Sequence, residues 1–291
     1  MSDDLLRFAQ GELTRAGRPW KPGRPFLVVV GDPVGHSLSP VIHGAALADR
    51  GLGHEYLALE VGPDDFAALQ ASPQADHLMG FNVTSPLKEI AARLCGRLTP
   101  TAARLGVVNT VRREPDGSWL GHNTDSGGLL MVLSAARGES APATTTAVLG
   151  TGGAARAAVD ALDRWGAPLV TLFYHTEPSR KAFADWLQTA GYSVPVKLAP
   201  LATASEDPAG IWINALDRAV AVTPLLPVAA PSEGTLLIDL RYGSDLQAES
   251  YPLGFQVIDG KPLLVMQGGL SFAWWFGPPV PWLAMRAALV D

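Results

Sequence analysis

One segment constrains the fold of this chain more than any other. Ala147-Val148-Leu149 runs into Gly150-Thr151-Gly152-Gly153-Ala154-Ala155, and a helical pattern over 156–165 leads to a second apolar run, Leu169 to Phe173. A strand, a glycine turn, a helix and a strand in that order form a βαβ unit, whose two strands lie parallel in one sheet. The turn fits the dinucleotide fingerprint G-x-G-x-x-G/A with Gly150, Gly152 and Ala155 at its three positions. Gly150 permits the tight turn, Gly152 lets backbone approach a pyrophosphate, and Ala155 lets the helix sit close to its strand. Gly150, Gly152, Gly153 and Ala154 are therefore candidate cofactor-binding residues.

The same alternation extends through the chain. Apolar runs at Phe26 to Val30 and Glu55 to Glu60 and before Asn82 alternate with amphipathic stretches from Val41, near Asp64 and after Lys88. Val107 to Val111 and Trp119 to Leu120 flank Asp116-Gly117, a hairpin signal. A helix over Ser126 to Arg137 and a Pro/Ala/Thr segment at 139–146 lead into the glycine-turn unit, and further strands are expected at Ile211 to Asn214 and Leu236 to Asp239. At 291 residues, two domains are the default. The pattern predicts an α/β protein with an N-terminal, mostly parallel α/β domain over 26–125, completed by about 265–291, and a Rossmann-like domain over 126–264. Residues 1–25 read as an N-terminal extension, a short amphipathic helix through Leu5, Leu6, Phe8 and Leu13 followed by a Gly/Pro/Arg connector.

Composition narrows the function. A net charge of −6 without a Lys/Arg-rich run argues against a nucleic-acid surface. No stretch reaches membrane-spanning length without charge or proline. The first ten residues carry acids where a secretory leader carries basic residues, so a cytoplasmic location is expected. The single cysteine, Cys95, sits in the apolar pattern of the helix after Lys88 and reads as a small buried hydrophobe. The six histidines lack metal-ligand spacing, and no metal site is expected.

Two Ser-Pro segments carry the polar chemistry. In Asn82-Val83-Thr84-Ser85-Pro86-Leu87-Lys88, Ser85 reads as an N-cap and Pro86 as the first helical residue, which puts Lys88 in the first turn. The helix dipole disfavours an ammonium there, and such a lysine can trade protons; a solvated surface lysine is the alternative. Ser37-Leu38-Ser39-Pro40 has the same logic, with Ser39 as the cap and Ser37 left without a structural task. Two hydroxyls beside free helical amides suit a carboxylate. Asp125 reads on its own residues as the N-cap of its helix, Asn109 lies at a strand end, and Gln267 precedes the last helix.

Taken together these segments resemble the shikimate dehydrogenases. Gly31 to Pro40, Asn82-Val83-Thr84-x-Pro86-x-Lys88, Val108-Asn109-Thr110, Gly121-x-Asn123-Thr124-Asp125, Gly150-x-Gly152-Gly153, Asp239-x-x-Tyr242 and Gln267-Gly268 stand in that family's order over residues 26 to 290. The resemblance implies NADPH-dependent reduction of 3-dehydroshikimate to shikimate in a cleft between two domains, with NADP as cofactor and NAD as a possible substitute. It implies Lys88 and Asp125 as the catalytic pair and Ser37 and Ser39 at the substrate carboxylate. Thr84, Asn109 and Gln267 fall at positions that hold ring hydroxyls, and Tyr242 at a further substrate contact.

The departures lie in the cofactor half. Where the family shows Asn-Arg-Thr after the second Rossmann strand, this chain has Tyr174, His175 and Thr176, with Arg180 and Lys181 placed to meet a 2′-phosphate from the following helix. Asn214-Ala215-Leu216-Asp217-Arg218-Ala219 replaces Asn-Ala-Thr-Pro-x-Gly, and the proline and threonine pattern after Tyr242 is absent. His175, Thr176 and Arg180 join the candidate cofactor residues. Two alternatives stand beside the main expectation: an NAD-dependent quinate/shikimate dehydrogenase, and a non-catalytic ligand-binding paralogue with a weakened cofactor site.

Overall fold

The computed structural model describes residues 5–243, 246–250 and 253–290. Met1–Asp4, the acidic start of the chain, lie outside them. The chain divides into two units, 1–124 with 267–291, and 125–266.

The first unit is built on a mixed sheet of β1 (Leu6–Ala9), β2 (Glu12–Arg15), β3 (Arg18–Pro19), β4 (Phe26–Gly31), β5 (Glu55–Val61), β6 (Leu78–Val83), β7 (Arg97–Leu98), β8 (Thr110–Arg113) and β9 (Trp119–His122). Their spatial order is β3-β2-β1-β5-β4-β6-β8-β9-β7. The connecting helices are α1 (Ser39–Asp49), α2 (Pro63–Ala71), α3 (Lys88–Leu94) and α4 (Pro100–Leu105). Strand β4 is buried at all six positions and pairs in parallel with β5 on one side and β6 on the other. An apolar run without alternation is what a central strand covered on both faces requires. The β8–β9 hairpin turns at Asp116-Gly117 as expected, with Gly117 at φ +83°.

The N-terminal segment departs from the expected helix. Leu6 and Phe8 are buried while Arg7 and Ala9 are exposed, a period of two, and β1 pairs in parallel with β5 as part of the sheet. Two-residue turns connect β1 to β2 and β2 to β3. Gln10-Gly11 and Ala16-Gly17 occupy them, and all four residues have positive φ, as the tightest hairpin turns demand. Leu6, Phe8 and Leu13 then join the core formed by Val28, Val30, Leu59 and Phe81. The apolar spacing at 5, 6, 8 and 13 suits either period, and pairing with an open sheet edge decides for strands.

The second unit opens with α5 (Asp125–Arg137), followed by β10 (Thr146–Leu149), α6 (Gly153–Trp165), β11 (Val170–Tyr174), α7 (Glu177–Ala190), β12 (Val196–Pro200), β13 (Ile211–Asn214), β14 (Leu236–Asp239), α8 (Leu246–Ser250) and β15 (Gln256–Ile258). All strand pairs are parallel, in the order β12-β11-β10-β13-β14-β15. Counted within this unit that is the doubly wound order 3-2-1-4-5-6. Helix α5 precedes the 139–146 segment yet belongs to this core, where Leu129, Val132 and Leu133 pack with Ala155, Ala158 and Leu162. Helix α9 (Gly260–Phe276) follows, and its second half, with α10 (Trp282–Ala287), belongs to the first unit. There Trp275 Nε1 donates to the Val111 carbonyl at 3.0 Å. Gly269 leaves room for the Trp282 ring, which a Cβ would strike. Residues 267–290 thus belong with the first unit.

Phe8 is 1% exposed in this core. Phe8→Ala is expected to cost the first unit about 3–5 kcal/mol, the usual range for emptying a buried phenyl site. Urea unfolding followed by far-UV circular dichroism measures it, and a cost below about 1 kcal/mol would place residues 6–15 outside the folded core.

Candidate functional site

Strand β4 lies between β5 and β6, so the chain leaves its carboxyl end at a switch point of the sheet, where open α/β sheets form a crevice. Two polar loops arise there. After β4, the Ser37 N–H donates to the Val34 carbonyl at 2.9 Å, and Ser37 Oγ accepts the Ser39 N–H at 3.2 Å. Helix α1 therefore starts at Ser39 with Leu38 at the cap position, and the side-chain bond at its entry comes from Ser37. Ser39 is therefore not the cap: the Ser37 hydroxyl takes Ser39's own amide, and the Val41 and Ile42 amides that a Ser39 cap would have held donate to the Leu38 carbonyl at 3.1 and 3.2 Å.

After β6, the Thr84 N–H donates to the Val30 carbonyl at 2.9 Å, and the Asp32 N–H to the Ser85 carbonyl at 3.4 Å. Gly31 makes this approach possible, since a Cβ there would collide with Thr84 Cγ2. Leu87 N–H closes a turn on the Thr84 carbonyl at 3.0 Å, and α3 begins at Lys88. Ser85 is thus not the cap and Pro86 is not helical. Lys88 is the first helical residue, closer to the positive end than the sequence spacing implies, and the Val108 N–H bonds its carbonyl at 3.0 Å. Cys95, at the end of α3 and not within it, is buried, and burial pushes its thiol up to about 12.

Asn109 sits at the start of β8 at the centre of a buried polar network. Its Oδ1 accepts the Thr124 N–H at 2.8 Å and the Thr110 hydroxyl at 3.0 Å. Its Nδ2 donates to Thr124 Oγ1 at 3.0 Å and to Gln267 Oε1 at 3.4 Å. Asn82 Nδ2 reaches the Asn109 carbonyl, Thr110 Oγ1 and Ser271 Oγ at 3.0 to 3.1 Å, and Asn82 Oδ1 accepts from the Tyr56 hydroxyl at 2.6 Å. Gln267 lies within α9 and not ahead of a helix, so Ser271, four residues on, shares its face and bonds its carbonyl at 3.0 Å. Tyr56, Thr110 and Ser271 are participants that sequence reasoning missed. For Ser271 the i, i+4 spacing from Gln267 was the available signal.

His43, fully buried on α1, stacks on Tyr56 with ring centroids 4.3 Å apart. Neither ring nitrogen has a hydrogen-bond partner at bonding geometry. Burial lowers its pKa to about 3, with the neighbouring Asn82 side chain working in the opposite direction.

The first unit holds Ser37, Ser39, Thr84, Lys88, Asn109 and Gln267; Asp125, Tyr242 and the cofactor candidates belong to the second. Asp125 is the first residue of α5. Gly150 has φ +108°, and a Cβ there would lie 3.0 Å from the Ala215 carbonyl oxygen. Gly152 caps α6 without a side-chain bond and has open space where a Cβ would sit, and Ala155, within the first turn of α6, is fully buried. Gly153 and Ala154 form the first helical turn, whose amides fit a pyrophosphate. Tyr242 follows β14, its carbonyl accepting from Arg218 Nη2 at 2.9 Å and its ring lying 5.0 Å from the Arg218 guanidinium.

The adenosine end differs in detail from expectation. Thr176 is engaged in a capping box: its Oγ1 accepts the Ser179 N–H, and Ser179 Oγ accepts the Thr176 N–H, both at 3.3 Å. Arg180 Nε is bonded to Glu177 Oε2 at 2.6 Å, so the expected cation already has an anion partner in its own helix. His175 lies between strand and cap, exposed.

A doubly wound parallel sheet with this glycine turn, joined in one chain to an α/β unit carrying a polar switch-point crevice, has the architecture of dinucleotide-dependent oxidoreductases. A family profile described as the shikimate dehydrogenase substrate binding domain matches residues 29–111. A shikimate dehydrogenase (NADP(+)) from Anaeromyxobacter sp. (strain Fw109-5) is 37% identical over 273 residues, 90% of this chain and 94% of the relative. Among solved structures, shikimate dehydrogenase from Aquifex aeolicus superposes with a TM-score of 0.79 at 28% identity, covering 94% of this chain and all of that one. The shikimate 5-dehydrogenase of Thermus thermophilus in complex with NADP(H) and shikimate gives 0.75 at 30% identity over 91% of this chain and 98% of its own. The chain belongs to the shikimate dehydrogenase family.

His43 makes the first unit sensitive to acid. Its folded pKa is depressed, so its contribution is fully present above the unfolded value of about 6.5 and is lost as pH falls toward about 3. Each pH unit in that window is expected to remove about 1.4 kcal/mol. His43→Phe, which keeps the ring stack, should flatten the stability profile between about pH 4.5 and 6.5 by about one proton; an unchanged slope in urea titrations would show that His43 does not control it.

Proposed function

We propose that this chain catalyses the NADPH-dependent reduction of 3-dehydroshikimate to shikimate. The observation that carries the reading is the placement of Ser37, Ser39, Thr84 and Lys88 at the switch point of the first sheet, with Asn109 and Gln267 bonded to each other. The open space over Gly152 and the uncapped first turn of α6 fit a dinucleotide pyrophosphate. When bound, the nicotinamide supplies a hydride equivalent to the substrate carbonyl carbon.

The protein's part is positioning and proton transfer. Ser37 and Ser39 hold the substrate carboxylate, and Thr84, Asn109 and Gln267 take the ring hydroxyls. Lys88 gives a proton to the carbonyl oxygen as negative charge builds on it, so that a hydroxyl is formed. Asp125, the first residue of α5, is the second member of the pair and accepts a substrate hydroxyl. Tyr242 adds a substrate contact. The bonds to Thr124 fix the orientation of the Asn109 carboxamide. No helix of the described residues is long and apolar enough to cross a membrane, and we place the enzyme in the cytoplasm.

Absorbance at the nicotinamide band, with shikimate and quinate each offered against NADP and NAD, tests the assignment directly. Turnover of shikimate with NADP is expected; oxidation of quinate with NAD alone selects the quinate/shikimate alternative, and binding without turnover selects the ligand-binding paralogue.

Lys88→Ala is expected to lower kcat by about 100-fold or more, the scale of a lost general acid, with substrate still bound. Asp125→Asn should damage turnover and leave the melting temperature nearly unchanged, since both side chains suit a helix start; a loss of stability with kcat spared would make Asp125 structural. Replacing Ser37 and Ser39 together by Ala should raise KM more than it lowers kcat, because the carboxylate is remote from the reacting carbon. An unchanged KM would remove both hydroxyls from the substrate site.

A further inference from the structure

Strand β11 ends at Tyr174, and the first turn of α7 begins three residues later with Glu177. In a doubly wound sheet this is where the adenosine ribose is read, an acid selecting the free diol of NAD and a cation the 2′-phosphate of NADP. Here the acid and the cation are both present and bonded to each other. Arg180 Nε meets Glu177 Oε2 at 2.6 Å. The capping box of Thr176 and Ser179 and Pro178 in the first turn hold the backbone that sets this i, i+3 pair.

We propose that Glu177 is the specificity-determining residue for the cofactor, holding the preference for NADP(H) over NAD(H) down by competing with the 2′-phosphate for Arg180. This rests on the dinucleotide reading of the β10–α6–β11 unit. The side chains are 65% and 42% exposed, so the pair lies in water and opens at little cost to a stronger partner. A 2′-phosphate is such a partner for Arg180, since a dianion binds a guanidinium more strongly than a carboxylate does. When Arg180 turns to the phosphate, Glu177 keeps its charge at the start of α7, where the helix dipole favours an anion. Held one helical turn from Arg180, the carboxylate would repel a phosphate bound to that guanidinium. With NAD(H) the 2′-position is a hydroxyl, and the same carboxylate is an acceptor for it. One side chain thus weakens one cofactor and assists the other.

The experiment measures Kd for NADPH and NADH by nicotinamide fluorescence in the full chain, in wild type, Glu177→Gln and Arg180→Gln, with adenosine 2′,5′-bisphosphate as a competitor that isolates the phosphate contact. Both substitutions are on the surface, and melting curves confirm that the fold is kept. Glu177→Gln should tighten NADPH and the bisphosphate by about fivefold at low salt, the order expected of one exposed charge contact. NADH should be unchanged or weaker, and the gain should shrink at about 0.5 M salt as exposed charges are screened. Arg180→Gln should weaken NADPH by about the same factor and leave NADH unweakened. A NADPH-to-NADH ratio unchanged within about twofold in Glu177→Gln, in a wild type that binds NADPH, overturns the role of Glu177 alone. Failure of the wild type to bind either nucleotide overturns the proposed function and this inference with it.

Discussion

The buried amide of Asn109 is the contact on which the first unit's polar architecture depends. One side chain, 2% exposed, joins the start of β8 to Thr124 at the end of the unit's central segment and to Gln267 on α9. Asn82 repeats the device one strand away, tying β6 to Thr110, Ser271 and Tyr56. Each such bond contributes only about 1 kcal/mol net, but an unpaired donor or acceptor left in this interior would cost about 1–3 kcal/mol. The network therefore acts as a set of mutual requirements, in which losing one partner penalises the rest.

That coupling explains why the C-terminal helices return to the first unit. Ser271 and Gln267 lie four residues apart on α9 and supply two of the network's oxygens. Gly269 and Gly80 bring the backbone close to Trp282 and Trp275, where a Cβ would overlap each ring. His43 stacks in the same region and stays uncharged through burial. Apolar packing and polar satisfaction thus seat the same helix, which fixes Gln267 to within hydrogen-bonding reach of Asn109.

The second unit places its glycine turn by a different route. β10 is flanked by β11 and β13 in parallel, so its carboxyl end is also a switch point, and Gly150 turns there against the Ala215 backbone. Asn214 bonds Asp239 at 2.8 Å, and Arg241 pairs with the same carboxylate and reaches the Asp217 and Val220 carbonyls. The loop after β13 is therefore held by an ion pair 12% and 1% exposed, whose polar groups find partners within the loop itself.

The sequence by itself determined the class of the fold, because period and punctuation are local properties. The glycine turn between two apolar runs, the Asp116-Gly117 hairpin and the alternation of strands and helices all appear where spacing places them. It also marked the candidate site residues, whose motifs are contiguous. Tertiary structure alone decided the rest. Residues 6–15 became strands because an open edge of the sheet offered β1 a parallel partner in β5, which outweighs an ambiguous apolar spacing. The helix starts at Ser39 and Lys88 depend on bonds from Ser37, Thr84 and Val30, and no propensity encodes which hydroxyl or carbonyl arrives first. The contacts of Thr110 with Ser271 and of Tyr56 with Asn82 could not be read along the chain, since they span 161 and 26 residues. Hydrogen-bond satisfaction in a buried interior is a property of three-dimensional neighbours, and a linear pattern of polar and apolar residues does not contain it.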